Sequence, residues 1–251
     1  MTMCLTFDDG LKTHAEIAAP MLKERGWSGA FCVPTAFMDV NSRILTAEQV
    51  KDLCLEGNEH NLMSWDDVRQ MIADGHEIYP HTHDHVDLVD LYMAGKKDVI
   101  EQQIVKAKES FEKVLGMTPA FFCLPHYSTC AYVDSRIRAH RMEVFNCGRP
   151  NFGEKYSPGQ ISRFIANRKR AGWRHVDISV HGISKDTGGW APFKTVDDFA
   201  GFLDEIKTAE NQGEVRVVPY LMAHRQYSFI SKYLVLMDRI VNRAFVWCAT
   251  H

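Results

Sequence analysis

The sequence contains no uninterrupted apolar run long enough to span a bilayer, so no membrane-spanning helix is expected. It has no repeat, no low-complexity segment and no stretch with the composition of a flexible linker. It has no surplus of positive charge: the net charge is −3, and no nucleic-acid partner is expected. The seven cysteines are odd in number, scattered, and include no C-x-x-C pair. They read as reduced, mostly buried thiols. The opening "MTMCLTF" lacks the basic and long apolar segments of a secretory leader. Together these absences set the expectation of a cytoplasmic protein.

What is present is a chain of 251 residues, 45% hydrophobic, with twelve histidines. A single α/β barrel suits that length as well as two small domains do. Apolar runs predict strands at Met3–Phe7, Gly29–Val33, Glu77–Tyr79, Ala120–Leu124, Glu143–Asn146, Val176–Val180 and Val215–Val218. Helical periodicity lies between most of them. Thr13–Arg25 carries Ile17, Met21 and Leu22 and stops at Gly26; Ser64–Ala73 has Ser64 as N-cap with Asp67 three residues on. Lys97–Leu115 places Ile100, Ile104, Ala107, Phe111 and Val114 on one face and ends at Gly116; Thr195–Ile206 opens with "TVDD". Alternation of strand and helix from end to end argues for a parallel sheet closed, or nearly closed, into a barrel. Reactive residues then belong at the C-terminal ends of the strands.

Three stretches at such ends carry chemistry. "LTFDDG", Leu5–Gly10, sets two carboxylates side by side. Asp-Gly is a hairpin-turn signal, but a helix follows instead of a second strand. In "GHEIYPHTHDH", Gly75–His85, His81 and His85 are four apart. If the segment after Pro80 makes a helical turn, both imidazoles face one metal, and His83 points elsewhere. Asp8 or Asp9 could supply a third ligand, and a His₂–carboxylate set with open positions suits a hydrolytic or redox metal. The other reading is a polar surface loop rich in histidine. In "VDISVHGI", Val176–Ile183, the two-residue period puts Asp177, Ser179 and His181 on one face. A histidine at that strand end is either a hydrogen-bonded structural residue or a general acid.

Taken in order with "GAFCVPTAF", "FFCLPHYS" and "GGWAP", these stretches resemble the polysaccharide deacetylase family, carbohydrate esterase family four. The resemblance implies an α/β fold, an irregular (β/α)7-type barrel, as one catalytic domain over residues 1–251. It implies Asp8 as general base, Asp9 with His81 and His85 as metal ligands, and His181 as general acid. The N–H of His126 falls where the family places an oxyanion donor. The metal is expected to be divalent, usually zinc. The chemistry is coherent: a divalent ion acidifies water and polarises an acyl oxygen, and keeps the adjacent Asp8 ionised. The expected reaction is removal of an acyl, normally acetyl, group from an N-acylated sugar, with an intermediate of a cell-surface polysaccharide or glycolipid as substrate. The alternatives are an amidohydrolase on a small non-sugar amide and a sugar-binding relative with impaired turnover.

There are departures. Where the third motif often carries a base-orienting arginine, Cys123 or Leu124 stands here, with Arg149 as a substitute. Asp177, the carboxylate on the face of His181, lies roughly 13 Å away along the strand, which leaves Asp186 as a candidate partner. Tyr79-Pro80 stand where smaller residues are expected and could narrow the site. His224 in "LMAHR" is a rival for the late histidine. Trp190 is either a packing residue or a sugar platform. Arg168–Arg170 reads as a solvated helix end or a phosphate site. The amphipathic "SFISKYLVLMDRIVNRAFVW" covers the core, or else serves a homodimer or a membrane surface.

Overall fold

The computed structural model describes residues 1–145, 156–184 and 187–224. Seven strands lie among them: β1 (Thr2–Phe7), β2 (Ala30–Val33), β3 (Glu77–Pro80), β4 (Phe121–Cys123), β5 (Glu143–Phe145), β6 (His175–Val180) and β7 (Arg216–Val217). Each coincides with an apolar run read from the sequence, with ends moved by no more than one residue. Arg149, Asp186, Asn146 and the C-terminal amphipathic stretch lie outside the described residues.

All pairings between these seven strands are parallel. β6 follows β1 along its whole length, from Thr2↔His175 to Phe7↔Val180. β7 takes the start of the other edge, at Thr2 and Met3, and β2 takes its end, at Thr6 and Phe7. β3 lies beyond β2. β4 and β5 pair separately, with β4 against β3. The wall is that of an irregular (β/α)7-type barrel, an α/β fold in one domain.

Strand alternation sorts the side chains. Met3, Leu5 and Phe7 point outward and pack with Leu22, Phe199 and Phe202 of the surrounding helices. Burying a side chain of this size stabilises the fold by about 1.5–3 kcal/mol each. Cys4 points inward, among Cys32, Tyr79, Phe121, Phe145 and Tyr220. Tyr79 therefore fills the barrel below the site and does not narrow its mouth.

The helices are α1 (Ala19–Glu24), α2 (Ala47–Asp52), α3 (Trp65–Ala73), α4 (Leu88–Met93), α5 (Lys97–Leu115), α6 (Ala131–Ala139), α7 (Gln160–Arg170) and α8 (Val196–Asn211). Ser64 and Thr195 cap α3 and α8 in reciprocal pairs with Asp67 and Asp198, as the sequence suggested. α5 ends on Gly116 at φ 66, a left-handed cap. The helix expected over Thr13–Arg25 divides into a wider π turn, His14–Ala18, and α1. No helix among the described residues is long and apolar enough to cross a membrane.

Candidate active site

The site is built at the C-terminal end of β1. Asp8 N–H still donates to Val180 O at 3.1 Å, so the first carboxylate is fixed by the sheet. Asp9 and Gly10 then adopt φ 79 and φ 67. A carboxylate side chain tolerates this left-handed region at a cost of roughly 1–2 kcal/mol. Gly10 has no such latitude, since a Cβ there would lie 3.1 Å from Met38 Cε and 3.3 Å from Pro34 Cδ. The Asp-Gly turn does form, and its effect is to aim two neighbouring carboxylates at different partners.

Asp9 faces the histidines. Its Oδ1 is 3.1 Å from His85 Nε2 and 3.6 Å from His81 Nε2. The ligand atoms of Asp9, His81 and His85 all lie within 4.8 Å of one another, and all three residues are buried. The helical turn considered for the segment after Pro80 is not what joins the two rings. Thr82 and His85 both take φ 62, and this irregular turn brings the rings to 5.0 Å. His83 does point away, with its Nδ1 at 2.9 Å from Thr35 Oγ1. Burial opposes the charge on Asp9, but His181 and the hydrogen bonds from His81 and His85 hold its carboxyl well below the usual range. His85 Nδ1 is 2.7 Å from Asp52 Oδ2. Against the cost of burial, Asp52 and Asp9 push the His85 imidazole up to about 9. Two imidazole nitrogens and a carboxylate, with His85 anchored from behind by Asp52, fit a divalent cation with room left for water.

Asp8 faces the other way. Ser179 Oγ donates to Asp8 Oδ2 at 2.9 Å, and Tyr127 OH donates to Ser179 Oγ at 2.7 Å. Cys123 Sγ lies 3.7 Å from Asp8 Oδ1, at the place considered for an arginine. His181 Nε2 stands 3.9 Å from Asp8 Oδ2. The His181 carbonyl accepts a 2.6 Å hydrogen bond from His14 Nε2–H, which pins the strand end from below.

Asp8, Asp9, His81, His85 and His181 line one cleft of about 260 Å³, which also holds His126, Leu124 and Trp190. His126 and Tyr127 take φ 58 and φ 54, turning the chain after Pro125 into the cleft. Trp190 is 41% exposed and meets His181 edge-on at 5.7 Å, so it is a wall of the cleft and no buried packing residue. A wider groove of about 740 Å³ continues past Asp52, His85 and His126.

Other candidates fall elsewhere. Asp177 engages His175 at 2.8 Å and His224 at 3.9 Å, not His181. His224 is stacked on Tyr220 at the opposite end of the barrel. Arg168 covers Trp173, and Lys169 meets Glu214, as expected of a solvated helix end. Asp52 escaped the sequence reading: α2 is a single short helix with no apolar period to announce it. Ser179 was legible as a neighbour of His181 on the same strand face, though its bond to Asp8 was not.

Comparison with known proteins agrees with this geometry. The family model for polysaccharide deacetylase matches residues 1–145. A chitin deacetylase of Pestalotiopsis sp is 27% identical over 145 residues, covering 58% of this chain and 41% of that protein. The chain thus spans less than half the length of that curated relative. The Xyl-CE4 domain of a multidomain xylanase, from the hindgut metagenome of Trinervitermes trinervoides, superposes with TM-score 0.60 at 13% identity, over 90% of this chain and 91% of that one. A family 4 acetyl xylan esterase from Clostridium thermocellum, solved with a cobalt ion, gives TM-score 0.59 at 17% identity, over 88% and 89%. With its motifs in order, its barrel matched and its model match over more than half its length, the chain belongs to the polysaccharide deacetylase family.

Proposed function

We propose that this protein is a metal-dependent deacetylase acting on an N-acetylated sugar within a carbohydrate chain, and that residues 1–251 act as one catalytic domain. The observation that carries the reading is the division of labour between adjacent carboxylates: Asp9 turned to His81 and His85, Asp8 turned to His181. Asp9, His81 and His85 would hold the cation, and zinc is the ion their chemistry favours. A divalent cation held there would acidify nearby water and draw electron density from the acyl oxygen.

Asp8, steadied by Ser179, takes the proton of the attacking water. The N–H of His126, a cleft-lining residue in a left-handed turn, would meet the developing oxyanion. His181 hands a proton to the departing amine. Trp190 offers its face to the sugar ring. The groove beyond Asp52 has room for further sugar units. The chitin deacetylase among the relatives supports an N-acetyl substrate.

The test is acetate release from N-acetylated chito-oligosaccharides by the zinc-loaded protein. Acetate from the native chain, none from Asp8→Asn, and equal metal content in both support the reading. Acetate from acetylated xylan alone would transfer it to an ester substrate. A second reading has its own observation: Cys123, a neutral group, stands beside Asp8 where an arginine is common. If N-acetylated sugars bind and no acetate is released, the chain is a sugar-binding relative with impaired turnover.

A further inference from the structure

The buried face of α5 is apolar except at one place. Ile100, Ile104, Ala107 and Phe111 form that face, and Gln103 stands within it, 5% exposed. A buried amide is destabilising unless its polar atoms are bonded. The partners of this one lie in the histidine loop. Gln103 Oε1 accepts from His83 N–H at 3.0 Å and from Asp84 N–H at 3.2 Å. A carbonyl oxygen has two lone pairs, and the two contacts use both. An amide nitrogen in the same place would face two donors, so the contacts themselves fix which way the side chain is turned.

His83 and Asp84 lie between His81 and His85. In a helix the Asp84 N–H would find the Pro80 carbonyl four residues back. The left-handed conformations of Thr82 and His85 give that partner up, and such conformations persist where the surroundings hold them. The backbone of the loop is held from three sides. Thr82 O accepts from Thr35 N–H at 3.3 Å and His83 O from Ala36 N–H at 2.7 Å, both beyond the end of β2. Asp84 O accepts from Gln49 Nε2–H, on α2, at 3.0 Å. Gln103 supplies the acceptor for the two N–H groups that point toward α5.

We propose that Gln103 is a positioning residue for the cation's histidine pair. By holding the His83 and Asp84 N–H groups it fixes the irregular turn that brings the His81 and His85 rings to 5.0 Å. It acts through the backbone of the loop, from a helix that supplies no ligand. A side chain without an acceptor leaves both N–H groups to find other partners, and the turn then relaxes away from the geometry in which two imidazoles share one ion. The ion must restore that geometry as it binds, and affinity falls by what the ordering takes. The inference rests on the reading that Asp9, His81 and His85 hold a cation. It does not depend on which reaction follows.

The test is cation affinity, measured on metal-stripped protein by chelator competition with Zn²⁺ and by titration with Co²⁺. Gln103→Leu nearly keeps the volume of the side chain and removes the acceptor. Its Kd for Zn²⁺ should be roughly 10–100-fold weaker than that of the native chain. Its visible Co²⁺ spectrum should change with the ring geometry. Gln103→Glu keeps an oxygen at the same reach, and should restore the native spectrum and a Kd close to the native one. Ile104→Val, one residue further along α5, removes a buried methylene group and leaves the loop's hydrogen bonds in place. It should bind both ions as the native chain does, which separates positioning from lost stability. Native affinity in Gln103→Leu, or a Gln103→Glu variant as weak as Gln103→Leu, would overturn the proposal and leave the metal reading standing. A native chain that takes up neither ion would overturn both, before any substitution is made.

Discussion

Asp52 holds His85 from behind: its Oδ2 lies 2.7 Å from His85 Nδ1, while His85 Nε2 faces Asp9. The bond fixes both the ring's orientation and which nitrogen is free for a cation. A carboxylate behind a ligating histidine also makes it a stronger donor. Asp52→Asn keeps the shape and removes the charge. Metal affinity should fall by roughly 10–100-fold. Activity at limiting zinc should fall with it and recover in excess zinc. A calorimetric zinc titration beside the activity assay checks both; unchanged affinity would mean that Asp52 does not act on the metal.

Ser179 and Tyr127 should act on rate and not on metal. Ser179 donates directly to Asp8, and Tyr127 donates to Ser179. A hydrogen bond to a charged group contributes about 1.5–3 kcal/mol. Ser179→Ala should therefore lower kcat/KM by roughly 10–100-fold. Tyr127 OH lies 3.3 Å from Asp8 Oδ2 but only 2.7 Å from Ser179 Oγ, so its own contact with Asp8 is the weaker one and Tyr127→Phe should cost less. Metal content should match the native chain in both, and a loss of bound zinc would show that these residues support the ligand set instead.

Trp190 should act on binding. It lies beside His181 with a large exposed face. Aromatic stacking contributes about 0.5–1.5 kcal/mol. Trp190→Ala should raise KM roughly two- to tenfold with kcat little changed. Initial-rate measurements over a range of chito-oligosaccharide concentrations separate the two constants.

His14 makes the fold sensitive to acid. Burial holds its imidazole down at about 4, against an ordinary value of 6.5, despite the hydrogen bond to the His181 carbonyl. Between those values the unfolded chain binds a proton that the folded chain does not. Stability therefore rises with pH across that window and is lost as pH falls from about 6.5 to about 4, by about 3 kcal/mol from this group. His14→Gln keeps a donor for the carbonyl and does not titrate. Denaturant midpoints measured on metal-stripped protein at about pH 7 and pH 4 should converge more in this variant than in the native chain.

The strands were legible because a barrel wall needs apolar runs, and all seven runs became strands. Long capped helices such as α5 and α8 were legible for the same reason: their apolar faces repeat and their ends carry Gly116 and Thr195. The short helices α2 and α4 span too few turns to show a period, and Asp52 was hidden with α2. Spacing pointed to His81 and His85 and left Asp8 or Asp9 as the third ligand; the family resemblance selected Asp9, and how the three meet was not legible. The helical pattern that suggested the pair is absent, and positive φ at Thr82 and His85 does its work. Asp177 shares the face of His181 but sits too deep to reach it, as the two-pleat offset indicated; the register Cys4↔Asp177 places it at the foot of the barrel.

The most direct test of the candidate site is an anomalous difference map from a zinc-loaded crystal, recorded at the zinc edge. The account predicts a peak about 2.0–2.2 Å from Asp9 Oδ1, His81 Nε2 and His85 Nε2. A zinc-saturated protein that releases acetate with no density among those three atoms would contradict it.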